Sequence, residues 1–210
     1  MRHEERLPRL LEALASRDPA PAGGSAAAAV VAIGAALLEK AALLSAERWD
    51  GAANAHQSAH ELRLRAEELV ERDAHAYLEY VEARRAKRNF FEEWSRTVDV
   101  PLEIERVALD VVNLAHDLGR QGNPNLRPDC TTAAILAHAA ISAAAMMVQV
   151  NLGVSLGDAR LPEALQMMRD ASASVRRLGA PDLTGGRDRV SAQSRDTGPR
   201  SRARNSRDAH

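Results

Sequence analysis

The sequence predicts an all-α protein, a single-domain antiparallel bundle of about six helices over residues 1–178. Three observations predict it. Apolar residues recur at three- and four-residue spacing, the period of one helix face. No stretch alternates apolar and polar residues for long enough to form a half-buried strand. Alanine, the strongest helix former, is abundant, and aromatic residues make up only 3%.

The elements follow in order. Leu7, Leu10, Leu11 and Leu14 mark a first short helix, and Asp18-Pro19-Ala20-Pro21 ends it, because proline cannot continue the backbone bonding. Ala22-Gly23-Gly24-Ser25 is a tight loop, with Ser25 placed to cap a second helix from Ala26 to Arg48. A third helix covers Ala55 to Arg85, with Leu62, Leu69, Ala76 and Val81 as its apolar stripe. The stretch Lys87 to Asp99 has no clear period, although Phe90, Phe91 and Trp94 suit a further turn. Pro101 fits the first turn of a fourth helix that ends near Gly119 to Gly122. After a loop over 123–128, Asp129 is placed to cap an apolar helix to Leu152, and Pro162 to Leu178 forms the sixth. Hydrophobic residues almost vanish from Gly179 onward. Residues 187–210 hold seven Arg and three Asp, so 179–210 is expected to be a disordered, Arg-rich tail.

Composition narrows the function classes. A net charge of −1 gives no basic stripe, so nucleic acid is not an expected partner. Cys130 is the only cysteine and Met1 to Asp18 lacks the order of a signal peptide, which points to the cytoplasm. Residues 19–38 and 130–157 are uncharged, and the second stretch reaches membrane-spanning length. Its Ser, Thr, Gln and Asn content, with His138 and Asn151, points instead to a core helix of a soluble bundle.

Three places carry candidate chemistry. Gly23, Gly24 and Ser25 open a helix, where unpaired N–H groups and the helix dipole favour an anion. Asn123 supplies donors and an acceptor suited to a heterocycle, and Asp129 follows it. Asp73 shares a face with Tyr77 and follows Leu62 by about three turns, beside the apolar stripe. Desolvation there raises a carboxyl pKa toward the range of a working acid/base. The plainer reading of the three is a loop-to-helix junction, a helix cap and a surface acid. His56 and His60 are four apart, but spacing specifies no third metal ligand. Cys130, His116, His138, Met146 and Met147 read as structural.

Together these segments resemble the cyclodeaminase/cyclohydrolase family, which includes the cyclodeaminase domain of formimidoyltransferase-cyclodeaminase and stand-alone methenyltetrahydrofolate cyclohydrolases. The carrying motifs are Pro21-Ala22-Gly23-Gly24-Ser25 before an Ala-rich helix, Asp73-Ala74-His75-Ala76-Tyr77, Val100-Pro101, Gly122-Asn123 with Asp129, and Asn151-Leu152. The resemblance covers about Leu7 to Leu178. It implies a helical bundle, a homodimer, a tetrahydrofolate substrate and no metal or redox cofactor. It casts Asp73 as the catalytic acid/base. Gly23, Gly24 and Ser25 would bind a substrate anion such as the glutamate tail, and Asn123 and Asp129 the pterin. Formimidoyltetrahydrofolate cyclodeamination and methenyltetrahydrofolate hydrolysis both remain open, as does a non-catalytic bundle that binds folate or another ligand. The chain departs from the family pattern at Ala22, at Met147, at Glu39 and Lys40, and in a shorter 78–100 segment.

Overall fold

A computed structural model describes residues 6–153 and 157–178. It contains six α-helices: α1 (Arg6–Leu14), α2 (Gly23–Leu43), α3 (Ala52–Arg85), α4 (Phe91–Gln121), α5 (Arg127–Leu152) and α6 (Arg160–Leu178). A single 3-10 turn, Pro124–Leu126, precedes α5. The described residues contain no strand. The all-helical expectation holds, and the predicted Arg-rich tail lies outside the described residues.

α2, α3, α4 and α5 form the body, and α6 packs on α4 and α5. Consecutive long helices run antiparallel. The start of α2 meets the later part of α3 through Ser25 and Asp73, and the start of α4 meets the end of α5 through Thr97 and Asn151. α2 and α5 are each long and apolar enough to cross a membrane. Both also supply the core, through Ala28, Val31, Ala35 and Leu38 on one and Ala133, Ala137, Ile141 and Ala144 on the other. Small side chains let these two helices approach closely. A methyl group on Gly34 would stand 3.2 Å from the Ala133 carbonyl oxygen. A second apolar cluster joins Val98 and Leu102 of α4 to Val148 and Leu152 of α5 and Met167 of α6.

Several expected boundaries move: α2 ends at Leu43 instead of Arg48, and three helix starts shift as well. α2 begins at Gly23, so Ser25 lies inside the helix, and the residue before it, Ala22, gives no side-chain cap. α4 begins at Phe91, ten residues before Pro101, which sits in its interior. α5 begins at Arg127, so Asp129 lies in its first turn instead of capping it. At Ser25 and at Pro101 the difference comes from long-range contacts, Ser25 to Asp73 and Thr97 to Asn151.

Glu105 is the least comfortable residue of the core. It is fully buried on α4, and neither carboxyl oxygen has a hydrogen-bond partner. Burial first, then nearby Glu163, push its carboxyl up to about 8. The folded state therefore binds a proton that the unfolded chain releases near its ordinary value of 4.5. Stability should fall as pH rises from 4.5 to 8 and then level off. Glu105→Met, which keeps the volume and removes the titration, should flatten that slope. Its gain over the parent should be largest near pH 8, on the order of a few kcal/mol at ~1.4 kcal/mol per pKa unit. Chemical unfolding at pH 5 and pH 8 tests this; parallel pH profiles would rule it out.

Candidate active site

The first turn of a helix leaves backbone N–H groups without partners. At α2 those groups belong to Gly23, Gly24 and Ser25, and the preceding Ala22 has no oxygen to offer. A carboxylate from another helix fills the gap. Asp73 of α3 accepts a hydrogen bond of 2.9 Å from the Ser25 hydroxyl, and the Ser25 backbone also favours its charged form. Gly24 makes room for it, because a methyl group there would run into the Asp73 carboxyl. Ala22 stands where the family pattern has a third glycine. Its φ of −140° is extended backbone that any residue adopts, so the replacement leaves the loop intact.

The Asp73 carboxyl is raised above its ordinary value of 3.8. Burial raises it, and the Ser25 hydroxyl and backbone, which favour the charged form, only partly oppose this. A carboxyl so placed holds its proton more readily than a surface acid, as a group that takes up and returns protons must. It opens onto a cavity of about 240 Å³. The start of α2 and the Pro19–Ala20 segment form one side, Asp73 and Tyr77 a second, and Thr97, Pro101, Met147 and Asn151 the rest.

The wall opposite Asp73 depends on a proline. Pro101 has no N–H, so in the middle of α4 it leaves the carbonyl of Thr97, four residues back, without its helical partner. Asn151, at the end of α5, donates its side-chain N–H₂ to that carbonyl at 2.6 Å. The Asn151 carbonyl accepts in turn from the Trp94 indole at 2.8 Å, and the Thr97 hydroxyl donates to the Trp94 carbonyl at 2.7 Å. The Asn151 amide is thereby held by its nitrogen, and its oxygen is left as an acceptor on a residue that lines the cavity. Met147 brings an apolar end to the same space; a methyl group on Gly23 would stand 3.4 Å from its terminal carbon.

Of the residues singled out from sequence, Gly23, Gly24, Ser25 and Asp73 come together here. At the helix start the chain's own Asp73 carboxyl bonds the Ser25 hydroxyl. Asn123 and Asp129 lie elsewhere. Asn123 receives the end of α2, its N–H donating to Ser45 Oγ at 2.9 Å and its side-chain N–H₂ to the Leu44 carbonyl at 3.2 Å. Its side-chain oxygen accepts from the Asn125 N–H at 3.1 Å. α2 thus separates Asn123 from the cavity by about twenty residues, roughly 30 Å at helical rise. Asp129 sits at that far end, 4.0 Å from Lys40. Neither adjoins Asp73 within the chain, and the bonds of Asn123 tie the α4–α5 turn to α2. The sequence reading missed Thr97, Pro101 and Asn151 as one unit. The available signal was the proline, which demands a donor for Thr97 once α4 is known to begin before it.

Other candidates resolve simply. His60 faces Glu39 at 3.2 Å and Arg63 at 3.2 Å. Among the described residues no three His, Cys, Asp or Glu side chains converge. Burial pushes the Cys130 thiol up to about 11, and His138 bonds Ser172 at 2.7 Å.

Fold and pocket define a helical bundle with one desolvated acid held at a junction between helices. Residues 6–169 match the model of the formiminotransferase-cyclodeaminase family, and the chain belongs to that family of cyclodeaminase and cyclohydrolase enzymes. It is similar to a protein of Methylorubrum extorquens named methenyltetrahydrofolate cyclohydrolase, with 28% identity over 199 residues, covering 85% of this chain and 96% of the relative. Its fold matches the crystal structure of formiminotetrahydrofolate cyclodeaminase from Thermotoga maritima. The TM-score is 0.77 at 24% identity, covering 84% of this chain and 96% of that one.

Gly24→Ala should push the Asp73 carboxyl away from Ser25 while leaving the helices assembled. Losing a cap of this kind costs about 1 kcal/mol. The Asp73 titration, followed by carboxyl carbon NMR, should move in the variant. An unchanged titration would mean that Gly24 does not seat the carboxyl.

Proposed function

We propose that this chain is a one-carbon folate enzyme in which Asp73 transfers protons, and that its reaction is the hydrolysis of 5,10-methenyltetrahydrofolate. The carrying observation is a carboxyl of raised pKa on the wall of a 240 Å³ cavity. Membership of the family and the near full-length relative named as a cyclohydrolase support the choice of substrate.

Water adds to the bridging carbon, and the Asp73 carboxylate takes a proton from it as the C–O bond forms. The C–N5 bond then breaks. Asp73 returns a proton to N5, and the hydroxyl proton leaves as the carbonyl forms. The product is 10-formyltetrahydrofolate, with one proton released. Cyclodeamination of 5-formimidoyltetrahydrofolate is the second reading, supported by the family description. There N10 bonds to the formimidoyl carbon and loses its proton, and the nitrogen of the former imine departs as ammonia after protonation. The carbon stays at the formate oxidation level in both reactions, so neither step calls for a redox cofactor, and one carboxyl can serve both.

Absorbance tests the reading directly, since opening the methenyl ring bleaches its near-ultraviolet band. Asp73→Asn keeps an acceptor for Ser25 and removes the titrating group. It should lose at least about 100-fold in turnover while melting like the parent. The raised carboxyl also places the acid limb of the parent's rate profile above the ordinary carboxylate range. Full activity in the variant would remove Asp73 from the mechanism. A parent inactive on both folates would favour a non-catalytic ligand-binding bundle.

The family resemblance also supports a homodimer. We place the contact on the groove between α1, α2 and α3, where Leu7 and Ile33 are exposed. Ile33→Arg should then sediment as a monomer at concentrations where the parent is a dimer. A variant that stays dimeric would move the interface elsewhere.

A further inference from the structure

The cavity beside Asp73 is too small for a whole folate. Its 240 Å³ lies below the range of about 300–1,000 Å³ typical of pockets that enclose small molecules. It suits the reduced pterin and the reacting carbon, and leaves the aminobenzoyl ring and the glutamate to be held outside. The start of α2 is an unfavourable place for the glutamate, because a second carboxylate there would face Asp73 and find the Ser25 hydroxyl already bonded to it.

One exit differs from the rest of the surface. The chain has only six aromatic residues, and five of them gather at this end of the bundle. Tyr77 lines the Asp73 cavity. Its ring lies 6.5 Å from that of Tyr80, which meets Phe90 edge-on at 5.7 Å. Tyr80 and Phe90 line a shallow neighbouring cavity of about 400 Å³, with Phe91 and Trp94 across it. These rings are not hidden: Tyr77 is 41% exposed, Phe90 39% and Phe91 64%. Such rings offer flat, rigid faces to a planar ligand. The row ends at the α3–α4 turn, where Arg84, Arg85, Lys87 and Arg88 are exposed. None of these four side chains is engaged by another described residue. Arg84 lies one helical turn beyond Tyr80 on the same face. The acids of this end are otherwise disposed. Glu79 pairs with Arg96 at 3.3 Å, Glu92 and Glu93 sit in the first turn of α4, and Glu82 is exposed on α3.

From this order of acid, aromatic row and basic turn, we infer a second subsite. Tyr77, Tyr80 and Phe90 stack the aminobenzoyl ring, and Arg84, Lys87 and Arg88 receive the glutamate carboxylates. The inference rests on the folate reading and adds where the substrate lies and what recognises its tail.

The test uses the full chain and the probe p-aminobenzoyl-diglutamate, followed by calorimetry and by quenching of Trp94. The parent should bind the probe, more weakly as salt rises. Binding should drop at least about tenfold in Tyr80→Leu and in the double variant Arg84→Glu/Arg88→Glu, while diglutamate alone should bind at least about tenfold more weakly than the probe. With methenyltetrahydrofolate diglutamate, the double variant should raise KM about tenfold and leave kcat within about twofold, the pattern of lost ground-state binding. Its substitutions are on exposed arginines, so its folding is secure if Tyr80→Leu proves unstable. Parent-like probe binding in the double variant, equal binding of diglutamate alone, or no binding by the parent overturns the subsite. The two readings fail separately. Turnover by the parent with an unchanged KM in the double variant removes the subsite and keeps the reaction. Probe binding lost in the variants of a protein inactive on both folates removes the reaction and keeps the subsite.

Discussion

The bond between Asp73 and Ser25 joins the fold to the chemistry. α2 starts with Gly23 and Gly24 and has no capping side chain before it, so its first N–H groups have to be satisfied from outside the helix. α3 meets that need with a carboxylate at its own seventh turn, and the two helices are locked in register at one end. The same arrangement holds the carboxyl at a cavity wall, half out of water. Burial raises its pKa and the helix start restrains it. A surface acid on α3 would titrate like any other; this one is tuned because it also closes a helix.

The opposite wall repeats the principle with the polarity reversed. At α2 backbone donors lack acceptors, and at Pro101 a backbone acceptor lacks its donor. Asn151 supplies the donor from a different helix, and Trp94 ties that helix end in place. The cavity therefore lies between two defects in regular helix, each repaired by a side chain from elsewhere. The pocket lies where these side chains, and not a seam of small residues, join the helices. Repairing side chains cannot pack as tightly as the α2–α5 seam, where helices touch through Gly34 and Ala133.

The same defects set the limit on what the sequence could tell. The six helices were legible because periodicity reflects burial along a whole element, and Leu38, Leu69, Ile104 and Ile141 are buried as their spacing requires. Asp73 was legible because it stands near an apolar stripe on one helix. The errors fall where a polar residue's partner is distant in the chain. Ser25 reads as a cap by local propensity, yet its hydroxyl crosses to a residue 48 positions away. Pro101 reads as a helix start, yet a donor 54 positions from Thr97 lets α4 continue through it. The bonds of Asn123 to Leu44 and Ser45, 79 and 78 positions away, were likewise out of reach of a local reading. Spacing along one helix carries no information about such pairings.

The site also bears on why one framework serves two reactions under the proposed reading. Both pass through a tetrahedral carbon bonded to N5 and N10, and differ in whether oxygen or nitrogen is the third substituent. A carboxyl that accepts and returns one proton does not distinguish them. Discrimination must come from what reaches the carbon, and therefore from the wall around it. Hydrolysis requires water beside that carbon, while cyclodeamination is better served by its exclusion. Here the wall contributes one polar acceptor at Asn151 and one apolar group at Met147, on the same face of α5 one turn apart. Of the two, Met147 is the residue that departs from the family pattern. It stands against Gly23 at the helix start. Under the proposed reading, these two side chains, more than the acid they share a cavity with, are where the choice of reaction would be made.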